Sequence, residues 1–446
     1  MNQENRITSN RAFILAIAGA AIGLGNIWRF PYIVGENGGG LFFLFYLLFV
    51  IMMGLPVMIS EIVIGRAGRA TPASSMRQLA VASGSSKHWG KVAWLGTFAA
   101  TIVLSFYSVI SGWVLYYLQG ALVGGFSFSG ITESEEVLEQ FLSSADKVIL
   151  YYSLFIVMTI AISGRSVSKG IEKLNNFLMP LMYLILLVLL FYVSGLSGFG
   201  QALDYLFAVK AQPVTGGLII EALGHAFFTL AIGACCLMAY GAYMPSSQSV
   251  VKVVSIVAAL DVLVAVMVGL ATFSVVFTES LAPAGGPGLM FVALPVALAK
   301  MPYGEFILPL FFLLLVIATW TSAVNLAEPL VVTATRWVNH RRNLGAMIAG
   351  GVVWVIGLIP ALSFNLLKNI ELAKGHGLFD FYTALATQVL LPVTGLLILY
   401  FAGYVMKPSV LSEQIGLKGG ALKFWHYLIR YISPALLLII AVRTLF

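Results

Sequence analysis

The first apolar stretch of the chain contains residues that could bind a cation and a carboxylate together. Gly23 and Gly25 are followed within two helical turns by Asn26, Arg29 and Pro31. Glycine loosens a helix, and lipid cannot satisfy the main-chain groups that a break uncovers. An arginine at this depth costs about 2.5 to 3.5 kcal/mol. The glycines alone also fit close helix packing. The added polar residues favour a broken helix whose carbonyls hold a hard cation and whose amides face a carboxylate.

Two other apolar stretches carry possible oxygen ligands. Thr321 and Ser322 are adjacent hydroxyls that could complete an oxygen cage for Na⁺, although hydroxyls in membrane helices often bond back to their own helix. Asp261 lies about eleven residues into a long apolar run, where an acid is a functional candidate by default. Its alternative role is that of a structural partner for a hydroxyl or a histidine.

Further polar side chains lie near the ends or inside apolar stretches. Arg29 and Asp380 stand slightly inward of the outer ends of their stretches, so they could pair across the mouth of a cavity or form a fixed structural pair. Glu61, His225 and Glu328 are also surrounded by apolar sequence. For these three, support of neighbouring functional residues is the simpler interpretation.

The composition places these residues in a membrane. Of the 446 residues, 60% are hydrophobic and 10% are charged, whereas soluble domains average about 25% charged residues. Apolar runs of about 20 residues, the length that crosses a bilayer, recur along the chain. The sequence predicts eleven membrane spans, at 10–36, 41–65, 92–124, 147–164, 172–196, 218–243, 250–278, 305–337, 343–363, 378–405 and 422–446.

The positions of lysine and arginine predict the orientation of the spans. Most of these residues fall on one side if the N-terminus is cytoplasmic, and the C-terminus then lies outside. This bias accounts for the net charge of +7 without a nucleic-acid partner. The adjacent Cys235 and Cys236 cannot support a disulfide framework. No nucleophile arrangement, metal set or cofactor motif is found in the sequence, which argues against an enzyme.

Spans 1 and 6 are interrupted at corresponding places. Span 6 contains Gly224, His225, Thr229 and Gly233 within apolar sequence, five spans after the first. A pair of interrupted helices in matching halves indicates an inverted-repeat transporter with a site near the midplane. The sequence thus predicts an all-α polytopic membrane protein. Its predicted parts are a first repeat at 1–196, a second at 197–405 and helix 11 at 406–446.

These residues together resemble the neurotransmitter:sodium symporter family, in particular its bacterial amino-acid transporters of the LeuT type. The segment Gly23–Pro31 carries the signature Gly-Leu-Gly-Asn-x-Trp-Arg-Phe-Pro. Gly170 and Pro180 keep the glycine–proline spacing of the fifth helix, and Thr321 with Ser322 matches the eighth. The resemblance covers essentially the whole chain. It implies a LeuT-type 5+5 inverted repeat with broken helices 1 and 6 among eleven transmembrane helices.

The resemblance also implies two sodium sites and a substrate site between the broken helices. The first sodium ion (Na1) would bind Ala21, Asn26, Thr229 and Asp261, the last being an asparagine in the family. The second (Na2) would bind Gly19, Ile22, Ala318, Thr321 and Ser322. The substrate would contact Ala20, Ala21, Gly23, Gly25, Val103, Tyr107, Phe228, Thr229, Ala231, Ala234, Ser322 and Leu326.

Gates on both sides of the substrate follow from the same resemblance. The inner pair of the family corresponds to Glu4 and Arg336 with the signs exchanged, or to Arg6 in place of Glu4. Phe228 would cover the substrate from outside. The predicted gate residues are Arg29, Asp380, Glu4, Arg336, Tyr243 and Glu328.

Departures from the family pattern predict the substrate and the ions. Monoamine-transporting relatives have an aspartate where Gly23 stands, so an amino acid is favoured. Ala231 and Ala234 leave space for a bulky apolar or aromatic side chain. The negative charge of Asp261, with His225 in place of a glutamine, predicts transport without chloride. The predicted function is Na⁺-coupled import of a hydrophobic amino acid across the bacterial inner membrane by alternating access. Another small zwitterion or amine, and a sodium-dependent sensor or channel, stay open as alternatives.

Overall fold

The computed structural model describes residues 7, 9–124, 126, 130–209, 213–245, 247–282, 288–373 and 376–443. Within these ranges, nine helices are each long and apolar enough to cross a membrane. They are span 2 (Gly40–Gly68), span 3 (Lys87–Val123), span 4 (Ala145–Ser163), span 5 (Ser168–Ser194), span 7 (Val250–Thr278), span 8 (Gly304–Trp337), span 9 (Arg342–Leu362), span 10 (Leu378–Val405) and span 11 (Gly419–Val442). With the broken spans 1 and 6, the described chain has the eleven spans that the sequence predicts.

Span 1 consists of two helices that meet at an angle. The helices Asn10–Ala21 (span 1a) and Gly25–Glu36 (span 1b) are bent by 52°. Ile22 leaves the helical region with φ −79° and ψ 112°, and the chain resumes as a π-helical turn over Gly25–Arg29. Asn26 and the two glycines of this segment are buried, so the break lies in the protein interior. The prediction of a broken first helix is confirmed.

Span 6 is interrupted more widely. Its halves are Gly216–Thr229 (span 6a) and Cys236–Tyr243 (span 6b). Between them Ala231, Gly233 and Cys235 all have positive φ angles, of 51°, 83° and 57°. At Gly233 a Cβ atom would lie 2.4 Å from the carbonyl oxygen of Leu391. Glycine is therefore required there by both the backbone conformation and the lack of space.

The loops contain short elements that the sequence interpretation did not include. Four amphipathic or apolar helices follow spans 2, 3, 5 and 7, and one lies between spans 10 and 11. A short antiparallel hairpin stands before span 10. These elements are Pro72–Ala82, Ile131–Ser143, Phe199–Phe207, Leu289–Lys300 and Pro408–Ile415, with strands Glu371–Ala373 and His376–Gly377.

The broken spans are enclosed by the others. Span 1a packs against spans 5, 7 and 8, span 6b packs against span 2, and span 8 packs against span 3. Large apolar side chains cover the outer surface, as at Phe191 and Phe177 of span 5, which are 83% and 68% exposed. Such a surface suits lipid, while the polar residues are directed inward. The arrangement brings the two breaks together at the centre of the bundle.

Candidate substrate and ion site

The end of span 1a presents carbonyl groups that have lost their helical donors. The amide of Gly23 donates to Asn26 Oδ1 (3.2 Å), and the amide of Leu24 donates to the Tyr107 hydroxyl (3.3 Å). In a continuous helix these amides would donate to the carbonyls of Gly19 and Ala20. The carbonyl end of a helix carries partial negative charge. Span 1a therefore ends in oxygens that can bind a cation inside the protein.

The predicted Na1 residues meet around one buried carboxylate. Asp261 is fully buried, and its Oδ1 accepts from Asn26 Nδ2 (2.8 Å) and from the Thr229 hydroxyl (3.1 Å). Its Oδ2 accepts from the Tyr46 hydroxyl (3.1 Å). Spans 1, 2, 6 and 7 are thus joined at this point. A buried charge requires such partners or a counter-ion, so the cluster offers a negative centre for a cation beside Ala21.

The hydroxyls of Thr321 and Ser322, the two predicted Na2 side chains, donate to different helices. Thr321 donates to the Ile317 and Ala318 carbonyls of its own helix, at 3.0 and 3.1 Å. Ser322 instead donates across to the Ala20 carbonyl at 3.3 Å. Span 8 therefore faces the end of span 1a, as the ligand set requires. A hydroxyl that donates keeps acceptor lone pairs, so both side chains can still bind a cation.

A cavity lies between the two breaks. Its empty volume is about 420 Å³. The centre of a water molecule can reach about 30 Å³ of that volume. Every residue predicted to contact the substrate lines it, together with Leu24 and Leu391. The lining comprises Ala20, Ala21, Gly23, Leu24, Gly25, Val103, Tyr107, Phe228, Thr229, Ala231, Ala234, Ser322, Leu326 and Leu391. Main-chain groups at the break in span 1, with the Tyr107 and Ser322 hydroxyls, form its polar wall, and side chains such as those of Val103 and Leu326 form its apolar wall.

The outer side of the cavity is covered by an arginine and an aromatic ring. The guanidinium carbon of Arg29 lies 5.1 Å from the centre of the Phe228 ring. Asp380 is exposed at the start of span 10. Among the described residues, no ion pair within 4.0 Å joins it to Arg29. Their pairing as a gate stays a prediction.

The inner side is tied by a network centred on Glu328. Tyr243 donates to Glu328 Oε1 at 2.6 Å, and Arg342 binds both carboxylate oxygens at 2.9 and 2.6 Å. Arg336 donates to the Ser74 hydroxyl. Its predicted partner Glu4, and Arg6, lie outside the described residues, so the inner pair stays a prediction. A cavity opens beside this network, and its basic lining residues are Arg69, Arg336, His340 and Arg342.

We predict that Arg342→Leu destabilises the protein strongly. The change leaves the Glu328 carboxylate, which is fully buried, without its charge partner. Removing one member of a buried ion pair costs about 3 to 5 kcal/mol. Thermal unfolding in detergent measures the effect. The double variant Glu328→Gln with Arg342→Leu should recover much of the loss; equal unfolding temperatures for the single and double variants would contradict this account.

Glu61 of span 2 holds the break in span 6. Its Oε1 accepts from the Gly233 amide at 2.6 Å, and the residue is fully buried. Because a glutamine keeps an acceptor oxygen, Glu61→Gln should retain most of the substrate binding, whereas Glu61→Leu should lose it. The unpaired Gly233 amide would then cost about 1 to 3 kcal/mol. Binding of labelled substrate to both purified variants distinguishes them, and equal loss in both would argue against this role.

Several contacts of the site could not be read from the sequence. Tyr46 and Leu391 lie in apolar helices with no motif nearby. The sequence therefore does not predict that they contribute to the site at the interrupted segments of spans 1 and 6. Arg342 adds only to the inner positive charge in the sequence, which does not indicate a partner for it. His225 is fully buried among Phe30, Phe42 and Tyr46, whose ring centres lie 5.2 to 6.3 Å from its own. Its burial suits the supporting role that the sequence favours.

Comparison with known proteins gives one consistent result. A family model described as the sodium:neurotransmitter symporter family matches residues 4–136 and 131–446. YhdH of Bacillus subtilis, an uncharacterized sodium-dependent transporter, is 31% identical over 438 residues, covering 97% of this chain and 96% of that protein. A similar uncharacterized transporter of Haemophilus influenzae is 28% identical over 455 residues, covering 100% and 99%. The crystal structure of MhsT in complex with L-phenylalanine matches with a TM-score of 0.89 and 34% identity, covering 99% of this chain and 100% of that one.

Proposed function

Because this chain belongs to the sodium:neurotransmitter symporter family, we propose that it imports a hydrophobic, bulky or aromatic, amino acid together with Na⁺. The chain is a sodium-dependent membrane transporter of the LeuT fold and not an enzyme. Its substrate is a proposal, supported first by the cavity between the two breaks. The bound phenylalanine of MhsT, a protein with the same fold, is consistent with it.

The polar wall of the cavity supports a carboxylate ligand. A Cβ atom at Gly23 would lie 2.5 Å from the Tyr107 hydroxyl and 3.0 Å from the Ser322 hydroxyl. Glycine therefore lets both hydroxyls lie close to the main chain at the break in span 1. A carboxylate bound beside them is favoured, since amides at a helix start and hydroxyl donors favour an anion. A side-chain carboxylate at position 23 would displace these hydroxyls and repel the ligand.

The apolar wall supports a large side chain. Ala231 and Ala234 contribute little volume, and Leu326, Val103 and Phe228 supply apolar surface. The space that water can reach, about 30 Å³, corresponds to roughly two water molecules. A bulky side chain therefore requires the wall to move outward, and Phe228 and Ala231 are the partly exposed members of that wall. Filling apolar space contributes about 0.8 kcal/mol per buried CH₂ group.

We further propose two sodium ions and no chloride requirement. The Asp261 cluster and the end of span 1a facing Ser322 are two separate groups of oxygens. Asp261 supplies the first of them with a carboxylate, which is negatively charged when ionised. That charge supports sodium binding without an added anion. Uptake measured in chloride and in gluconate should be equal; a strict chloride requirement would overturn this part of the proposal.

Transport would proceed by alternating access in a bacterial plasma membrane, with the N-terminus cytoplasmic and the C-terminus outside. Sodium and substrate would each raise the affinity for the other, because linkage is reciprocal. One charge crossing 100 mV is worth about 2.3 kcal/mol, and a tenfold gradient about 1.4 kcal/mol. Two ions thus supply roughly 7 kcal/mol, which is enough for strong accumulation of a zwitterion. The division into repeats at 1–196 and 197–405 with helix 11 at 406–446 stays part of the proposal.

The test is uptake into proteoliposomes that contain the purified protein. Labelled phenylalanine, tyrosine, tryptophan, leucine, alanine and glycine are offered with Na⁺ or choline outside. We expect saturable accumulation of the large apolar amino acids that requires Na⁺. Accumulation of only small or charged amino acids would overturn the substrate class. Uptake that is identical in choline would overturn sodium coupling for this substrate.

A further inference from the structure

Asn175 of span 5 has a buried oxygen without a partner. The residue is fully buried. Its Nδ2 donates to the Ile171 carbonyl at 2.8 Å, which fixes the orientation of the amide, because the opposite one would place two oxygens together. Its Oδ1 has no hydrogen-bond donor among the described residues. A buried acceptor left without a partner costs about 1 to 3 kcal/mol, so an occupant is expected.

This oxygen contacts the end of span 1a. A Cβ atom built on Gly19 would lie 2.2 Å from Asn175 Oδ1 and 3.0 Å from Asn325 Nδ2. Only glycine allows the amide of span 5 to approach the main chain so closely. Gly19 is also the residue whose carbonyl lost its helical donor, because the Gly23 amide donates to Asn26. The Asn175 oxygen that lacks a donor and the Gly19 carbonyl that lost its helical donor therefore belong to residues in direct contact.

The neighbouring donors bond elsewhere. Asn325 Nδ2 donates one hydrogen to the Thr321 carbonyl at 2.7 Å, and the Tyr240 hydroxyl donates to Asn325 Oδ1. Thr321 donates to its own helix. Asn325 Nδ2 has a second hydrogen, but among the described residues no hydrogen bond joins it to Asn175 Oδ1. A partner that brings positive charge, and attracts several oxygens at once, matches this arrangement.

We propose that Asn175 Oδ1 is a further oxygen ligand of the Na⁺ ion at the end of span 1a, bound directly or through one water molecule. The inference rests on the proposed function, and it adds span 5 to a site otherwise built from spans 1 and 8. Sodium then ties three spans together. Its departure releases span 5 from span 1a, which links the occupancy of this ion to movement of the fifth span.

The experiment compares two neighbouring asparagines. Asn175→Leu removes the oxygen and keeps a side chain of four heavy atoms branched at Cγ. Asn176→Leu is the matched control, since Asn176 is exposed on the same helix. Binding of labelled phenylalanine and the rise in unfolding temperature on adding NaCl without substrate are measured for both. For Asn175→Leu the Na⁺ concentration giving half of each effect should rise on the order of threefold to tenfold. Asn176→Leu should match the unmodified protein.

The outcomes separate this inference from the proposed function. If the unmodified protein shows sodium-dependent stabilisation and Asn175→Leu shows the same half-saturating Na⁺ concentration, the inference is wrong. A lower unfolding temperature with an unchanged sodium dependence would identify a structural water molecule and also overturn it. If Asn175→Leu does not fold, Asn175→Asp replaces it. The added charge should lower the half-saturating Na⁺ concentration, and an unchanged value would be contrary to the inference. Absence of any phenylalanine binding by the unmodified protein would count against the proposed substrate alone.

Discussion

Asp261→Ala is expected to abolish sodium-dependent uptake. The change removes the acceptor of three buried donors, on Asn26, Tyr46 and Thr229. It also removes the negative charge of the predicted Na1 site. Each unsatisfied donor costs about 1 to 3 kcal/mol. We expect uptake into proteoliposomes to fall at least about 100-fold, which corresponds to about 2.8 kcal/mol.

Asp261→Asn separates the charge from the hydrogen bonds. Its amide oxygen can still accept, so the protein should fold, and the family's own residue at this position is an asparagine. The loss of charge should raise the half-saturating Na⁺ concentration about tenfold. Asp146→Ala, at an exposed position at the start of span 4, is the control. Wild-type sodium dependence in Asp261→Asn would show that the charge has no part in binding the ion.

Gly23→Ala is expected to weaken substrate binding while sparing sodium binding. The added Cβ atom would lie 2.5 Å from the Tyr107 hydroxyl, so this hydroxyl must move away from the position proposed to hold the carboxylate. Overpacking of this kind costs about 1 to 3 kcal/mol, and the displaced hydroxyl no longer reaches the ligand. The affinity for labelled phenylalanine should fall about 10-fold to 100-fold. Stabilisation by NaCl without substrate should persist.

Gly224→Ala provides the matched control in span 6a. No atom lies within 4 Å of the Cβ that it would add. In an open helical position, alanine replaces glycine with a gain of up to about 1 kcal/mol. Its affinity and unfolding temperature should equal or slightly exceed those of the unmodified protein. Equal loss of affinity in both variants would mean that the position of Gly23 beside Tyr107 is unimportant.

Much of the fold could be predicted because hydrophobic length determines it. The span predicted at 250–278 agrees with Val250–Thr278, where Ser249 caps the helix start. The break in span 1 was also predictable, since glycines, an amide and an arginine within an apolar stretch cannot all suit an unbroken membrane helix. The short helix Pro72–Ala82 was missed because its polar face gives no membrane signal.

The partners of the site were harder to predict because they are distant in the sequence. Glu61 and Gly233 are joined by a hydrogen bond across 172 positions. Nothing in the local sequence of either residue specifies the other. Asn175 did offer a signal, as an amide within an apolar helix. This signal alone does not link it to the site, because no motif of the first or sixth span includes it.

The chain's two thiols stand where the sixth span is interrupted. Cys235 and Cys236 are both fully buried and unoxidised, and no other cysteine occurs in the sequence. Alkylation needs an accessible thiolate, so the rate at which the native protein reacts with maleimide reports how often water reaches this region. The two native cysteines can therefore report when the protein opens around the break in span 6. Ligands that hold the breaks closed can be ranked by the labelling that they prevent, with no engineered label.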